Sequence, residues 1–237
     1  MLRDCIHCAL LLTGYWSAQL IAKEAAHILP QLEPGDLCIE IGAHCGSWTL
    51  ALARRVTSGQ VFAIEALSYY ARLIRWLVRL LRFRNVHVLN YGATLEAQSL
   101  QLIWKDTDGH RLTSYTHLAG RGNGLAATIT IFGRPLADLI PTEFWPRVKF
   151  IRCDVEGAEL EALEGARAIL AQARPIVFSA INSEYCRRYG LETAEVFALF
   201  DGLDYSPFVL NEKEVLVAAD ATTYAGVEEV WFYPGSR

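Results

Sequence analysis

The chain has 237 residues, 52% of them apolar and 20% charged, with a formal net charge of −4. This is material for one globular domain with a sizeable core, and it excludes a disordered chain. The acidic balance argues against a nucleic-acid partner held by bulk electrostatics, and six cysteines set mostly in apolar runs read as reduced, buried thiols.

Residues 5–22 are apolar but interrupted by His7, Thr13, Ser17 and Gln19, leaving no run long enough to span a membrane. No small-residue cleavage site follows cleanly, so the expected compartment is the cytoplasm. Cys5-Ile6-His7-Cys8 imitates half a zinc site, but no second pair stands at matching spacing. Residues 1–34 are read as an N-terminal helical extension, packed on the core or, as a homodimer contact, on a partner subunit. Pro30 and Pro34-Gly35 end it and open a single domain over 35–237.

From there strand and helix signals alternate. Residues 37–41 are a short apolar run ending in glycine, the pattern of a buried strand. A helix over 47–56 and a strand over 60–64 follow. Residues 67–83 form a long helix with Leu73, Ile74, Leu77, Leu80 and Leu81 as apolar positions. Its arginines, Arg72, Arg75, Arg79, Arg82 and Arg84, are read as a solvated face rather than an RNA-binding stripe. Strands are expected at 86–89, 99–104, 127–131, 148–153 and 175–179. Helices are expected at 135–140, 158–171 and 193–200. Residues 205–210, 214–218 and 229–233 complete the sheet as antiparallel strands. Such alternation means an α/β chain with a mostly parallel sheet and helices on both faces. Ligands then bind beyond the carboxyl ends of the strands, where strand order reverses.

Three strand ends carry chemistry. The first is Glu40-Ile41-Gly42-Ala43-His44-Cys45-Gly46. Glycine lets the backbone turn sharply and lets a ligand approach, and a helix from Ser47 points free N–H groups toward it. The loop is G-x-x-x-G, not the G-x-G-x-x-G of a diphosphate site. With Glu40 beside it, it suits a sulfonium with an amino-acid tail. The second is Glu65, roughly twenty residues on, the offset of a carboxylate taking both hydroxyls of a ribose. The third is Asp154-Val155-Glu156-Gly157, where Asp154 emerges beside the reacting group and Glu156 reaches a substrate or steadies Asp154.

Residues 151–166, IRCDVEGAELEALEGA, resemble the signature of the FkbM family of S-adenosylmethionine-dependent methyltransferases. EIGAHCGSWT at 40–49 is similar to that family's D-x-G-A-N-x-G-x-x-T pattern. The resemblance implies a Rossmann-like class I methyltransferase fold, with a seven-stranded sheet and an antiparallel C-terminal strand. It implies S-adenosylmethionine as methyl donor and O-methylation of a hydroxyl on a sugar, polyketide or related small molecule. Carried over by position, Glu40, Gly42, Ala43, His44, Gly46, Ser47 and Thr49 serve the methionine part. Glu65 and Ala66 serve the ribose, Tyr91, Gly92 and Ala93 the adenine, and Asp154 the methyl. Glu40 stands where Asp is usual, His44 where Asn is usual, and where a Glu is usual after the fifth strand the run is Phe178-Ser179-Ala180-Ile181-Asn182-Ser183-Glu184.

Methyl transfer to a hydroxyl needs alignment and a base. Asp154 is the candidate base, with Glu156 beside it, and His110 and His117 are secondary candidates in a loop that could act as a lid. Asp154 with Asn182 could offer oxygen ligands to magnesium, but two ligands do not define a site and none is expected. The competing readings are an RNA or protein methyltransferase, and a catalytically inactive cofactor-binding partner subunit.

Overall fold

The computed structural model describes residues 21–103, 117–118, 128–211, 213–219 and 227–236. In chain order they form helix α1 (Ala22–Ile28), strand β1 (Leu37–Ile41), α2 (Ser47–Arg55), β2 (Gln60–Ile64), α3 (Ser68–Leu80) and β3 (Val86–Leu89). Next come β4 (Gly92–Ala93), β5 (Gln98–Ile103), β6 (His117–Leu118), β7 (Thr128–Arg134), α4 (Leu136–Leu139) and β8 (Val148–Cys153). The chain continues through α5 (Glu159–Glu164), α6 (Arg167–Ala173), β9 (Ile176–Asn182), α7 (Ser183–Arg188) and α8 (Thr193–Asp201). It ends with β10 (Tyr205–Leu210), β11 (Leu216–Ala218) and β12 (Val227–Pro234).

The central sheet has the order β11-β10-β12-β9-β8-β1-β2-β3. Its five strands from β3 to β9 are parallel, and β12 runs antiparallel between β9 and β10. Eight strands stand where the family resemblance implies seven, and the C-terminal run turns back on itself at Asn211, in keeping with the strand signals at 205–210 and 214–218. The Asn211 side chain accepts from the N–H groups of Lys213 and Val215, and β11 adds an edge to β10. A second, four-stranded sheet, β4-β7-β5-β6, is inserted between β3 and β8. The strand signals at 99–104 and 127–131 belong to it.

All five residues of β1 are buried, as a parallel strand covered on both faces requires. Leu37, Ile39 and Ile41 join one core with Leu163, Ile169 and Phe200, and Cys38 joins the other with Trp48, Phe150 and Trp231. Each such fully buried side chain contributes about 1.5–3 kcal/mol. Ile21, Ala25, Ile28 and Leu32 pack into the second core, so the described part of the N-terminal segment lies directly on the sheet. Cys38, Cys45, Cys153 and Cys186 are free and buried.

Two helix expectations change. The helix expected over 158–171 is split into α5 and α6 at Gly165. A Cβ there would lie 2.2 Å from the Thr94 carbonyl, and the Gly165 carbonyl accepts from Ala137 N–H. Contact with the inserted sheet breaks a helix whose local sequence favours continuity. In α3, Ala71, Ile74, Leu77 and Val78 are buried, but Leu80 faces outward.

Candidate active site

Strand order reverses between β1 and β8, and the site is built there. Leaving β1, the N–H groups of Gly42 and Ala43 both donate to the Ile64 carbonyl, at 3.0 and 3.1 Å, and Gly46 N–H donates to Ala43 at 2.8 Å. Gly42 has φ 83°, and a Cβ on it would lie 1.9 Å from the Asp154 carbonyl. Glycine is what allows the loops after β1 and β8 to touch. Asp154 N–H donates to Ile41 O at 3.0 Å and completes that contact.

A cavity of about 550 Å³ opens at this junction, within the roughly 300–1,000 Å³ of small-molecule sites. Of the residues singled out from sequence, Glu40, Gly42, Ala43, His44, Ser47, Glu65, Ala66, Tyr91, Gly92, Ala93, Asp154 and Glu156 line it. Gly46 and Thr49 do not. Gly46 lets the turn pass Ile74, whose Cγ1 a Cβ would approach to 3.1 Å. Thr49 donates its hydroxyl to the buried Glu40 carboxyl.

Glu65 is held by backbone alone. Its Oε2 accepts from His44 N–H and its Oε1 from Leu67 N–H, both at 2.7 Å. Burial pushes its carboxyl up to about 7, against the pull of those donors. Each oxygen keeps acceptor capacity for a ligand. The His44 ring lies 4.2 Å from the Tyr70 ring, and its Nε2 is buried with no hydrogen-bond partner among the described residues.

Glu40 is held by side chains. It sits directly across from Arg152 in the β1–β8 register, with 3.7 Å between Oε1 and Nη1. The guanidinium also pairs with Asp154, donates to Gly42 O at 3.3 Å and lies over the Trp48 ring. Burial pushes Glu40 up to about 8, with Arg152 and Thr49 pulling only part of the way back. Burial disfavours the Arg152 charge, but Asp154 and Glu40 outweigh it and raise the guanidinium above its ordinary value.

The loop after Asp154 is clamped from below. Glu159 is fully buried, and its Oε1 accepts from the N–H groups of Val155 and Gly157, each at 3.1 Å. Burial pushes this carboxyl up to about 7. Glu156 at φ 57° and Gly157 at φ 106° turn the chain tightly over it. At Gly157 a Cβ would lie 2.6 Å from the Tyr189 ring, so the turn has no room for a side chain.

Several lining residues carry no motif. Arg152 betrays itself only as a charge inside the apolar strand 148–153. Leu100, Leu102 and Ile131 of the inserted sheet form an apolar wall. Glu24 and Glu229, from opposite ends of the chain, line the cavity on another side. Partial burial and the neighbouring Glu24 hold Glu229 above the usual carboxylate range. The pairing of Asp154 with Asn182 as metal ligands is not supported. Asn182 Oδ1 is spent capping α7, accepting from Glu184 and Tyr185 N–H at 2.9 and 3.2 Å. His110 and the side chain of His117 lie outside the described residues.

Residues 40–206 match the family model of the methyltransferase FkbM domain. No curated protein matches the chain. Among solved structures, an FkbM methyltransferase from Methylobacillus flagellatus aligns with TM-score 0.54 and 17% identity, over 85% of this chain and 44% of that one. This chain thus spans less than half the length of that relative. A putative methyltransferase from Streptococcus mutans, solved with S-adenosylhomocysteine, aligns with TM-score 0.52 and 10% identity, over 90% and 96%. A putative rRNA methylase from Clostridium thermocellum gives 0.51 and 13%, over 90% and 92%. At these identities the likenesses show the fold.

Proposed function

Because the chain belongs to the FkbM methyltransferase family, we propose that it transfers a methyl group from S-adenosylmethionine to a hydroxyl oxygen of a small molecule. One observation carries this reading: a single cavity joins the glycine turn, the Glu65 carboxyl and Asp154. The residues present suit the donor. Glu65 offers acceptor capacity for ribose hydroxyls, and Ala66 follows it. Gly42, Ala43, His44 and Ser47 line the part of the cavity above the buried Glu40, where the missing side chain of Gly42 leaves room for the amino-acid tail. Tyr91, Gly92 and Ala93, with the apolar wall, suit the adenine. When bound, the cofactor supplies a methyl already activated by its sulfonium.

The chain's own task is alignment and one proton transfer. Arg152 holds Asp154 by Oδ2, leaving Oδ1 to accept the proton of the acceptor hydroxyl as its oxygen meets the methyl. Glu156, on the same turned loop, hydrogen-bonds the acceptor. The test pairs a calorimetric titration with S-adenosylhomocysteine and a turnover assay. Binding is expected, and its absence at high micromolar concentration overturns the reading. Asp154→Ala should bind S-adenosylhomocysteine nearly as the parent does, with turnover lowered by about 10²–10⁴-fold. Surviving turnover removes Asp154 as the base.

A further inference from the structure

We propose that the outward face of α3, a helix whose N-terminal end borders the cavity, docks on an anionic lipid surface. The stretch from Ala66 to Leu95 holds five arginines, Arg72, Arg75, Arg79, Arg82 and Arg84, and no Asp or Glu, in a chain whose net charge is −4. All five arginines are exposed. Arg75 spends a donor on Val88 O at 3.0 Å, and among the described residues none of the five pairs with a carboxylate.

The same face is not simply solvated. Trp76 is 49% exposed and Leu80 is 51% exposed. They stand one turn apart, with Arg72 one turn before Trp76 and Arg79 three residues after it, so the apolar and cationic groups form one surface. The inward side of α3 is already committed: Ala71, Ile74, Leu77 and Val78 pack on the core. Exposed Trp and Leu among arginines match the layered chemistry of a bilayer interface. Arginine meets lipid phosphates, Trp lies at the headgroup level and Leu enters the acyl boundary. RNA would use the arginines and stack on Trp76, but offers nothing to Leu80.

The placement bears on the proposed reaction. Leu67, just before α3, and Tyr70 in its first turn both line the cavity. The N-terminal end of α3 thus borders the cavity, and the acceptor that suits this arrangement is an amphiphile with a hydroxyl in its polar part. That corollary rests on the methyl-transfer reading; the docking itself does not.

The full chain is sedimented with vesicles of phosphatidylcholine and with vesicles of phosphatidylcholine mixed with phosphatidylglycerol. Binding is expected to the mixed vesicles only, weakening as salt rises. Arg72→Glu/Arg79→Glu and, separately, Trp76→Ser/Leu80→Ser should each weaken it at least tenfold while S-adenosylhomocysteine still binds. The second pair keeps every charge, so its loss isolates the apolar contact. Equal binding to neutral vesicles, or binding unchanged in Trp76→Ser/Leu80→Ser, overturns the proposal. So does binding to a single-stranded RNA that outcompetes the vesicles, or a dimer in solution that Trp76→Ser/Leu80→Ser abolishes. Failure to bind S-adenosylhomocysteine in the parent chain strikes the methyl-transfer reading and leaves the docking result standing.

Discussion

Two buried glutamates end neighbouring strands of one sheet, yet they are held in opposite ways. Glu40, at the β1–β8 junction, meets side chains: Thr49 from α2 and Arg152 from the facing strand. Glu65, at the end of β2, meets only the N–H groups of His44 and Leu67. The first arrangement is closed on itself, and its product is the fixed position of Asp154. The second holds a carboxyl in place while leaving acceptor capacity facing the cavity. One acid builds the site from beneath, and the other is free to serve a ligand.

The strongest way to break this contrast is Arg152→Met. It leaves Asp154 without its guanidinium partner and removes the bridge from β8 to Glu40. The stability loss should be about 2–3 kcal/mol, read by denaturant unfolding, because the lost hydrogen bonds are to charged groups. Turnover should fall with it, while S-adenosylhomocysteine affinity changes little. Arg152→Lys should recover part of the stability by restoring a cation between the two acids. If affinity collapses as far as turnover, the junction is not separate from the cofactor half.

Glu65→Ala probes the other corner. It orphans His44 N–H and Leu67 N–H and removes the carboxyl from the cavity. Affinity for S-adenosylhomocysteine should fall by about 10- to 100-fold, the equivalent of about 1–3 kcal/mol. An unchanged dissociation constant, measured calorimetrically, would refute the ribose assignment.

Acidity separates the two corners on a finer scale. Both carboxyls are raised in the folded chain, Glu40 to about 8 and Glu65 to about 7. The folded state therefore binds protons that the unfolded chain has released above its ordinary carboxylate range. Their contribution is complete at low pH and is lost as pH rises through those values, by at most about 1.4 kcal/mol per pH unit for each group. Thermal unfolding should show Tm falling from about pH 5 to about pH 8. Glu40→Gln should flatten the part between pH 7 and 8, while Glu65→Gln should flatten only the part below about pH 7, which Glu159 also shapes. A slope between pH 7 and 8 that Glu40→Gln leaves intact assigns the proton elsewhere.

What a single sequence discloses follows the same division. The glycine turn, Glu65 and Asp154 are local: each follows its own strand within a few residues, so spacing alone brings them out. The parallel core is legible for the same reason, since β1, β2, β3 and β8 are short apolar runs. Arg152 facing Glu40 is a matter of register between strands more than a hundred residues apart. Glu24 and Glu229 meet at the cavity from the two ends of the chain, and no spacing rule spans that distance. Gly165 breaks a helix because Thr94, just after β4, crowds it, a contact absent from the local pattern. Leu80 obeys the apolar period of its helix and still faces outward. Periodicity marks a face without saying what that face meets.

The smallest effect belongs to His44, which links the two corners by donating its N–H to Glu65 from within the glycine turn. It stands where the resembling pattern has Asn, which looks like a loss of function. Its backbone suggests otherwise. His44 has φ 47°, in the left-handed region where Asn, Asp and His are enriched and β-branched residues are strained. What the position demands is a backbone conformation that keeps the N–H aimed at Glu65, and both residues meet it. The ring adds contact with Tyr70. His44→Asn should therefore bind S-adenosylhomocysteine within about threefold of the parent, a difference well under the 1.4 kcal/mol of a tenfold change. His44→Val should weaken binding and lower stability by about 1–2 kcal/mol through backbone strain. If Asn is as damaging as Val, the imidazole itself is what the site uses, and its buried Nε2 is the atom to pursue.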